Sequence, residues 1–189
     1  AAMEAVQTRR NWSPYKDSPS SKIHGTEKPE AGRKAFEAQR GKPFRLEQPG
    51  VIGRTGGEIS PYTGEALRID YPQSAPEALI AAAQAAMEDW REVAPRLRIA
   101  LCCEMSQRLY ERNFEMAHGI MHVTGQSYTQ AFSGSGPNAL DRGIEALAYA
   151  AKAMADVPES ATWHRTFGRE DVALEKTYRL VPRGIGLVI

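Results

Sequence analysis

Apolar residues recur at spacings of three and four between Ser74 and Met154, which is the pattern of amphipathic helices. The pattern predicts four helices, over roughly residues 74–94, from residue 95 onward, 114–124 and 137–155. Ser74 and Glu77 have the spacing of a capping box, so the first helix is expected to begin at Ser74. Asn113 is the expected cap of the third helix, and Gly125 its stop. The second helix carries one apolar face at a strict four-residue spacing: Leu97, Leu101, Met105 and Leu109.

The segment before these helices lacks the helical period. Residues 10–30 are rich in Pro, Ser, Lys and Gly, and they predict an ordered arm anchored by Trp12, Tyr15 and Ile23. A short helix is expected over residues 29–39, because a proline opens this stretch and a glycine follows it.

Strand and turn signals lie on both sides of the helical stretch. Gly56-Gly57 predicts a hairpin turn, Thr63-Gly64 a second turn, and residues 66–71 a strand that Pro72 ends. Residues 174–181 alternate as a half-exposed strand does, and the apolar run 185–189 predicts a strand buried on both faces. Such a strand needs a crossover helix and a partner strand, so the sheet is expected to be incomplete.

Composition narrows the class of protein. The 189 residues carry 24 basic and 23 acidic side chains in an interspersed order, which disfavours nucleic-acid binding. No apolar run is long enough to cross a bilayer, and the first residues lack the core of a signal peptide. The two cysteines are adjacent, which argues against a disulfide framework and favours a reducing cytoplasm.

Two pairs of side chains are candidates for chemistry. Cys102 and Cys103 lie within a predicted helix, where buried structural cysteine is the commoner case than a nucleophile. His118 and His122 share a helix face like the pair of an HExxH zinc site, but Gly119 stands where the general base would be. Since His24 and His164 lie far away in sequence, structural histidines are favoured over metal ligands.

Two glycine pairs suggest anion or nucleotide binding. Gly184 and Gly186 precede a predicted strand, whereas a nucleotide fingerprint follows one and opens a helix. Gly134 and Gly136 precede the fourth helix and could cradle an anion, although a loop stop capped by Ser135 explains them equally well. No catalytic, cofactor-binding or metal-binding residue is therefore assigned.

Several short motifs together resemble the N-terminal part of the aldehyde dehydrogenase superfamily. They are residues 60–65 (SPYTGE), 87–91 (MEDWR), 95–98 (PRLR), 123–126 (VTGQ) and 181–189 (VPRGIGLVI). Val123 and Gln126 depart from the superfamily pattern. Within the superfamily, the likeness is to the phenylacetic acid degradation family PaaN, through residues 12–15, 41–44, 48–51, 54–58 and 121–126.

The resemblance implies an enzyme that oxidises a coenzyme A-linked semialdehyde with NAD or NADP during phenylacetate breakdown. The superfamily's cysteine nucleophile, water-activating glutamate and cofactor-binding residues match no position here, so this chain alone is expected to be inactive. The implied fold is a helix-dominated α+β part of an aldehyde dehydrogenase-like α/β fold, with an incomplete Rossmann-type sheet. Its expected parts are an arm with a short helix and hairpin strands (1–73), four helices (74–157), and a linker, an exposed strand and the first buried strand of a truncated nucleotide-binding domain (158–189).

The expected partners follow from the incomplete sheet. An unpaired strand at 185–189 predicts self-association or pairing of the tail within the chain, and helices that would support the missing sheet should expose apolar area. Two alternatives stay open: a self-contained helical binding or scaffolding module, and an enzyme that uses His118 and His122.

Overall fold

The structure is a computed structural model that describes residues 1–187. The helices are α1 (Ala2–Thr8), α2 (Ser21–His24), α3 (Glu27–Glu37), α4 (Pro76–Glu92), α5 (Pro95–Glu111), α6 (Asn113–Thr124), α7 (Tyr128–Ser133) and α8 (Ala139–Ala155). The strands are β1 (Val51–Thr55), β2 (Tyr71–Ser74), β3 (Ser160–Phe167) and β4 (Glu170–Thr177). The predicted helix-dominated α+β class is confirmed. Within the described range, no helix has the length and apolar character needed to span a membrane.

The predicted hairpin at Gly56-Gly57 is wrong. β1 pairs antiparallel with β2, so that Thr55 lies opposite Tyr71 and Val51 opposite Ser74. Gly56 packs under the carbonyl group of Ile69, and a Cβ there would lie 2.6 Å from that oxygen. The chain therefore continues from β1 into a loop before it returns as β2.

Within that loop, the turn predicted at Thr63-Gly64 is confirmed. The Gly64 N–H donates to the Ser60 carbonyl at 2.8 Å, and Gly64 has a φ of 70°. The strand predicted over residues 66–71 is wrong, because β2 begins at Tyr71 and includes Pro72. The apolar residues of this stretch alternate because Leu67 and Ile69 are buried, where they pack on Phe36 in a small core.

Two helix starts differ from the prediction. α4 begins at Pro76 with Ala75 as its N-cap and no side-chain cap, because Ser74 ends β2 and its hydroxyl donates to Gln48 at 3.2 Å. Asn113 is the first residue of α6 rather than its cap. Its buried amide donates through Nδ2 to the Phe132 carbonyl at 3.1 Å.

The stretch before the fourth predicted helix is not a loop. α7 continues through a π-helical turn, Gly134–Asn138, directly into α8. Gly136 is buried against Asn113, and a side chain there would overlap the Asn113 amide. The glycine therefore permits a close approach of two helical segments, and the predicted stop with Ser135 as cap is wrong.

The N-terminal arm is ordered, with one of its three predicted anchors in place. Tyr15 is buried, with its ring 4.8 Å from that of Tyr110. Trp12 and Ile23 are exposed, so their prediction as anchors is wrong. The helix α1, which the sequence pattern did not predict, packs on α8, and Arg9 donates to the Tyr149 hydroxyl at 2.7 Å.

The C-terminal part contains a two-stranded antiparallel sheet, and the strand predicted at 174–181 lies in it as β4, which begins at Glu170 and ends at Thr177. β3 and β4 pair from Ser160 with Thr177 to Phe167 with Glu170. Residues 178–187 form no strand, so the buried strand predicted at 185–189 is absent from 185–187, where no neighbouring strand is available to pair with it. The remainder of that prediction, at residues 188–189, lies outside the described residues.

Candidate functional site

A cluster of hydrogen-bonded and aromatic side chains joins the turn at residues 60–65 to α6. Ser60 is fully buried, and its Oγ accepts the N–H groups of Tyr62 at 3.2 Å and Thr63 at 3.4 Å. The same oxygen lies 2.7 Å from Nδ1 of His122. Because the two N–H groups occupy the lone pairs of the oxygen, its proton is directed at the imidazole. His122 therefore accepts at Nδ1 and carries its own proton on Nε2.

Aromatic rings enclose this hydrogen bond. The His122 ring is stacked on Phe36 of α3, with centroids 5.1 Å apart, and meets Tyr62 edge-on at 6.1 Å. His118 stacks on the same Phe36 at 6.2 Å and contacts Tyr128 at 4.7 Å. The prediction that His118 and His122 share one helix face is confirmed, and that face packs on α3.

The environment favours neutral imidazoles. Burial lowers the pKa of His122, with the Arg40 charge adding to the effect and the Glu37 carboxylate opposing it. Burial also lowers the pKa of His118, and the charges of His122 and Arg33 contribute in the same direction. Both rings thus act as uncharged packing groups near neutral pH.

Two motifs that carried the family resemblance meet at this cluster. The Tyr62 hydroxyl donates to the Gln126 carbonyl at 2.7 Å. Gly125 closes α6 with a φ of 77°, as predicted, and it lies against Pro61. The turn at 60–65 and the segment at 123–126 therefore form one contact that fixes the loop on the end of α6.

A buried serine that donates to a histidine resembles part of a hydrolytic triad, but this pair lacks the features of one. Ser60 is inaccessible, its lone pairs are engaged by backbone N–H groups, and no carboxylate of residues 1–187 is hydrogen-bonded to His122. The arrangement stabilises the loop, and we name it the Ser60–His122 lock. The helical spacing indicated the histidine pair as a candidate but did not indicate Ser60, although Ser60 is the first residue of the turn at 60–65.

Metal binding gains no support from this geometry. Nδ1 of His122 is engaged by Ser60, and its ring is stacked on Phe36. The His118 ring lies between Phe36 and Tyr128. Across residues 1–187, no group of three or more His, Cys, Asp or Glu side chains is placed to hold a metal ion.

The cysteine pair lies half-buried on α5. Burial raises the pKa of the Cys103 thiol, and the neighbouring Cys102 raises it further. A nucleophilic cysteine needs the opposite shift. The geometry therefore favours the structural interpretation of these thiols.

Neither glycine pair forms a binding loop. Gly134 and Gly136 lie within the continuous helical run from α7 to α8, so the N–H groups there belong to a helix interior and not to a free N-terminus. Gly184 and Gly186 lie in an exposed segment that is followed by no helix up to residue 187.

The architecture is that of a helix-dominated part of an aldehyde dehydrogenase fold. The chain is similar to the crystal structure of an NAD-dependent aldehyde dehydrogenase from Burkholderia multivorans, with 43% sequence identity and a TM-score of 0.88. The match covers 96% of this chain and 33% of that enzyme, so the chain spans about one third of its length. No protein-family model and no curated protein sequence matches the chain.

Proposed function

We propose that this chain is part of an NAD(P)-dependent aldehyde dehydrogenase. The similarity to the Burkholderia multivorans enzyme, at 43% identity over 96% of this chain, carries the proposal. The meeting of the residue 60–65 turn with the residue 123–126 segment supports it, because both motifs resemble the superfamily and serve one shared contact.

We propose further that the complete enzyme acts in phenylacetate degradation and oxidises a coenzyme A-linked semialdehyde to its acid. The short segments that resemble the PaaN family support this substrate class. They include the arm around Tyr15, which is buried, and the helix end at residues 121–126, in which His122 is buried.

In the proposed enzyme, the described residues provide structural support and take no part in the chemistry. A dinucleotide binds at a Gly-rich turn between a strand and a helix. Gly184 and Gly186 provide no such turn in the described range, so residues 1–187 do not fit the cofactor's pyrophosphate. We therefore assign no step of hydride transfer to these residues, and the chain alone is expected to be inactive.

The alternative of a self-contained helical module is less consistent with the packing. In a closed bundle, the apolar stripe of α5 would face the other helices. In the structure, Leu97, Leu101, Met105 and Leu109 are all exposed, and α4 has no buried residue. The helices thus present apolar faces that a finished module would cover.

Self-association is part of the proposal, and the β3–β4 sheet supports it. Every residue of its two strands except Val172 is exposed, including Trp163, Phe167 and Leu174. Its two outer edges pair with no further strand of residues 1–187, so their backbone groups are able to pair with another strand. Light scattering that shows only monomer across a concentration series would contradict this part.

Enzyme assays test the catalytic proposal. A protein that contains this sequence joined to a dehydrogenase catalytic region should form NADH or NADPH with a coenzyme A-linked semialdehyde. It should act more weakly on the same aldehyde without coenzyme A, and the 189-residue chain alone should form none. Turnover by the chain alone would overturn the assignment of the chemistry to other residues, and equal rates with both aldehydes would overturn the substrate class.

A further inference from the structure

A groove lies between residues 9–17 of the N-terminal arm and the first turns of α8. It consists of one cavity of about 250 Å³ and another of about 700 Å³, and Trp12, Asp141 and Arg142 line both, so the two adjoin. Cavities of several hundred Å³ are large enough to hold a small organic ligand. We call this feature the arm groove.

Three arginines bring positive charge to one end of the arm groove. Arg142 is paired with Glu145 at 2.6 Å, which neutralises its charge. Arg9 donates to the uncharged hydroxyl of Tyr149, and Arg10 forms no ion pair within residues 1–187. The charges of Arg9 and Arg10 are therefore available to an anion, and a guanidinium binds phosphate oxygens in a bidentate geometry.

The backbone holds Arg9 in a conformation that residues with a side chain seldom adopt. Arg9 is the C-cap of α1, with a φ of 59° and a ψ of 23°, the left-handed position that glycine usually occupies. Its guanidinium is fixed by the hydrogen bond to Tyr149 at 2.7 Å, and it lines the groove. Residues in such sparsely populated conformations occur preferentially where a ligand is bound.

Trp12 and Asp141 give the arm groove two further kinds of contact. Trp12 is 39% exposed at the junction of the two cavities, so part of its ring is open to a stacking partner. Asp141 accepts the Ser13 hydroxyl at Oδ1, at 2.6 Å, and its Oδ2 accepts no hydrogen bond within residues 1–187. A carboxylate repels phosphate but accepts hydrogen bonds from amino and hydroxyl groups. The groove therefore suits a ligand that combines a planar ring, hydrogen-bond donors and phosphate groups.

We propose that the arm groove binds the phosphorylated adenosine of a coenzyme A-linked substrate, with the base on Trp12 and the phosphate groups on Arg9 and Arg10. The inference rests on the proposed function, which requires the complete enzyme to bind two molecules that carry adenosine and phosphate groups. The dinucleotide binds at a Gly-rich turn between a strand and a helix, whereas residues 9–17 contain no glycine. Coenzyme A is the molecule that remains for the arm groove.

Calorimetric titration of the 189-residue chain tests the binding directly, with adenosine 3′,5′-bisphosphate as the probe. The nucleotide should bind at least about tenfold more tightly than inorganic pyrophosphate, because only the nucleotide stacks on Trp12. Arg10→Gln should weaken nucleotide binding at least about tenfold through the loss of a charged donor. Trp12→Leu should weaken it as much and leave pyrophosphate binding unchanged, whereas Trp12→Phe should keep most of the affinity.

Arg45→Gln is the matched control for Arg10→Gln. Arg45 is also exposed, forms no ion pair within residues 1–187 and lies outside the arm groove. This variant should bind the nucleotide as the unmodified chain does. Equal losses in the two arginine variants, or a chain that binds the nucleotide no better than pyrophosphate, would overturn the inference.

Enzyme kinetics distinguish the two possible sources of the adenosine. In a protein that joins this chain to a dehydrogenase catalytic region, Arg10→Gln should raise the KM for the coenzyme A-linked aldehyde about tenfold and change kcat by less than about twofold. The KM for the same aldehyde without coenzyme A should not rise. A rise in the KM for NAD or NADP instead would identify the cofactor as the occupant, and the inference would be wrong.

Failure of the inference and failure of the proposed function give different results. If the joined protein oxidises the coenzyme A-linked aldehyde but the chain binds no nucleotide, the inference is overturned and the proposed function stands. If the joined protein folds but oxidises no aldehyde, both are overturned.

Discussion

The adjacent helices α5 and α6 have similar apolar patterns and opposite packing. α6 buries Phe114 and Ala117 against α7, and its His122 against α3. α5 buries Arg98 and Ser106 and exposes its leucines. An apolar stripe therefore does not by itself show which side chains of a helix are buried by the same stretch of sequence.

Truncation of a large side chain in each region should give the greatest contrast. Phe132 is fully buried, with its ring 4.7 Å from that of Phe114. Phe132→Ala should lower the free energy of unfolding by about 3–5 kcal/mol, because it leaves a cavity beside α6. Leu101→Ala, at an exposed site, should cost less than about 1 kcal/mol in the isolated chain. Urea unfolding of both variants measures the contrast, and equal losses would contradict it.

The contact between α3 and α6 depends on a glycine. A Cβ at Gly32 would lie 2.8 Å from the backbone nitrogen of Glu115 and would overlap Phe114. Gly32→Ala should therefore cost about 1–3 kcal/mol, because α3 and α6 must separate.

Gly119 of α6 is the matched control for Gly32. A Cβ there would lie 3.8 Å from the Phe36 ring, which is ordinary contact. Gly119→Ala should stabilise the protein by up to about 1 kcal/mol through its helix propensity. If thermal melts show the two variants with the same sign, the close packing of α3 on α6 is not as described.

The Ser60–His122 lock should contribute a smaller amount. Ser60→Ala leaves His122 Nδ1 and the N–H groups of Tyr62 and Thr63 without their partner, at a cost of about 1–2 kcal/mol. Ser133→Ala, which removes only a bond to the Thr129 carbonyl within its own helix, should cost under about 0.5 kcal/mol. Chemical denaturation of both variants distinguishes a buried lock from a surface serine.

The smallest effect should be a dependence on pH. The pKa values of His118 and His122 are lowered in the folded protein, so the unfolded chain binds protons first as the pH falls. Stability should be complete above about pH 6.5 and should decline as the pH drops toward the folded pKa values. The double variant His118→Gln with His122→Gln should flatten this decline, whereas His164→Gln should not. An unchanged profile in the double variant would contradict neutral, buried imidazoles.

Local signals predicted much of the helical structure. Pro95 opens α5 and Gly125 closes α6, because a first-turn proline and a left-handed glycine act through the nearby backbone alone. The predictions of Ser74 and Asn113 as helix caps were wrong for the opposite reason. Tertiary contacts with Gln48 and Phe132 engage their side chains, and a capping motif does not reveal such contacts.

The candidate cluster could be predicted only in part. The four-residue spacing placed His118 and His122 on one face, but their partners Ser60 and Phe36 are distant in sequence. The hairpin at Gly56-Gly57 failed in a related way, since a glycine pair permits a turn and also permits the close approach of Ile69. The exposure of the α5 stripe was expected in outline, whereas the burial of Arg98 had no signal in the sequence.

Oxidation of methionines tests most directly whether the apolar stripe of α5 is covered in a complete dehydrogenase. Met105 lies on the stripe and is 58% exposed, and Met3, at 37%, serves as an internal reference away from it. Peroxide treatment followed by mass spectrometry should oxidise both residues readily in the 189-residue chain. In a chimera in which this chain replaces the matching third of the Burkholderia multivorans enzyme, Met105 should react at least about tenfold more slowly, while Met3 keeps its rate. Equal oxidation of Met105 in the two proteins would contradict the account.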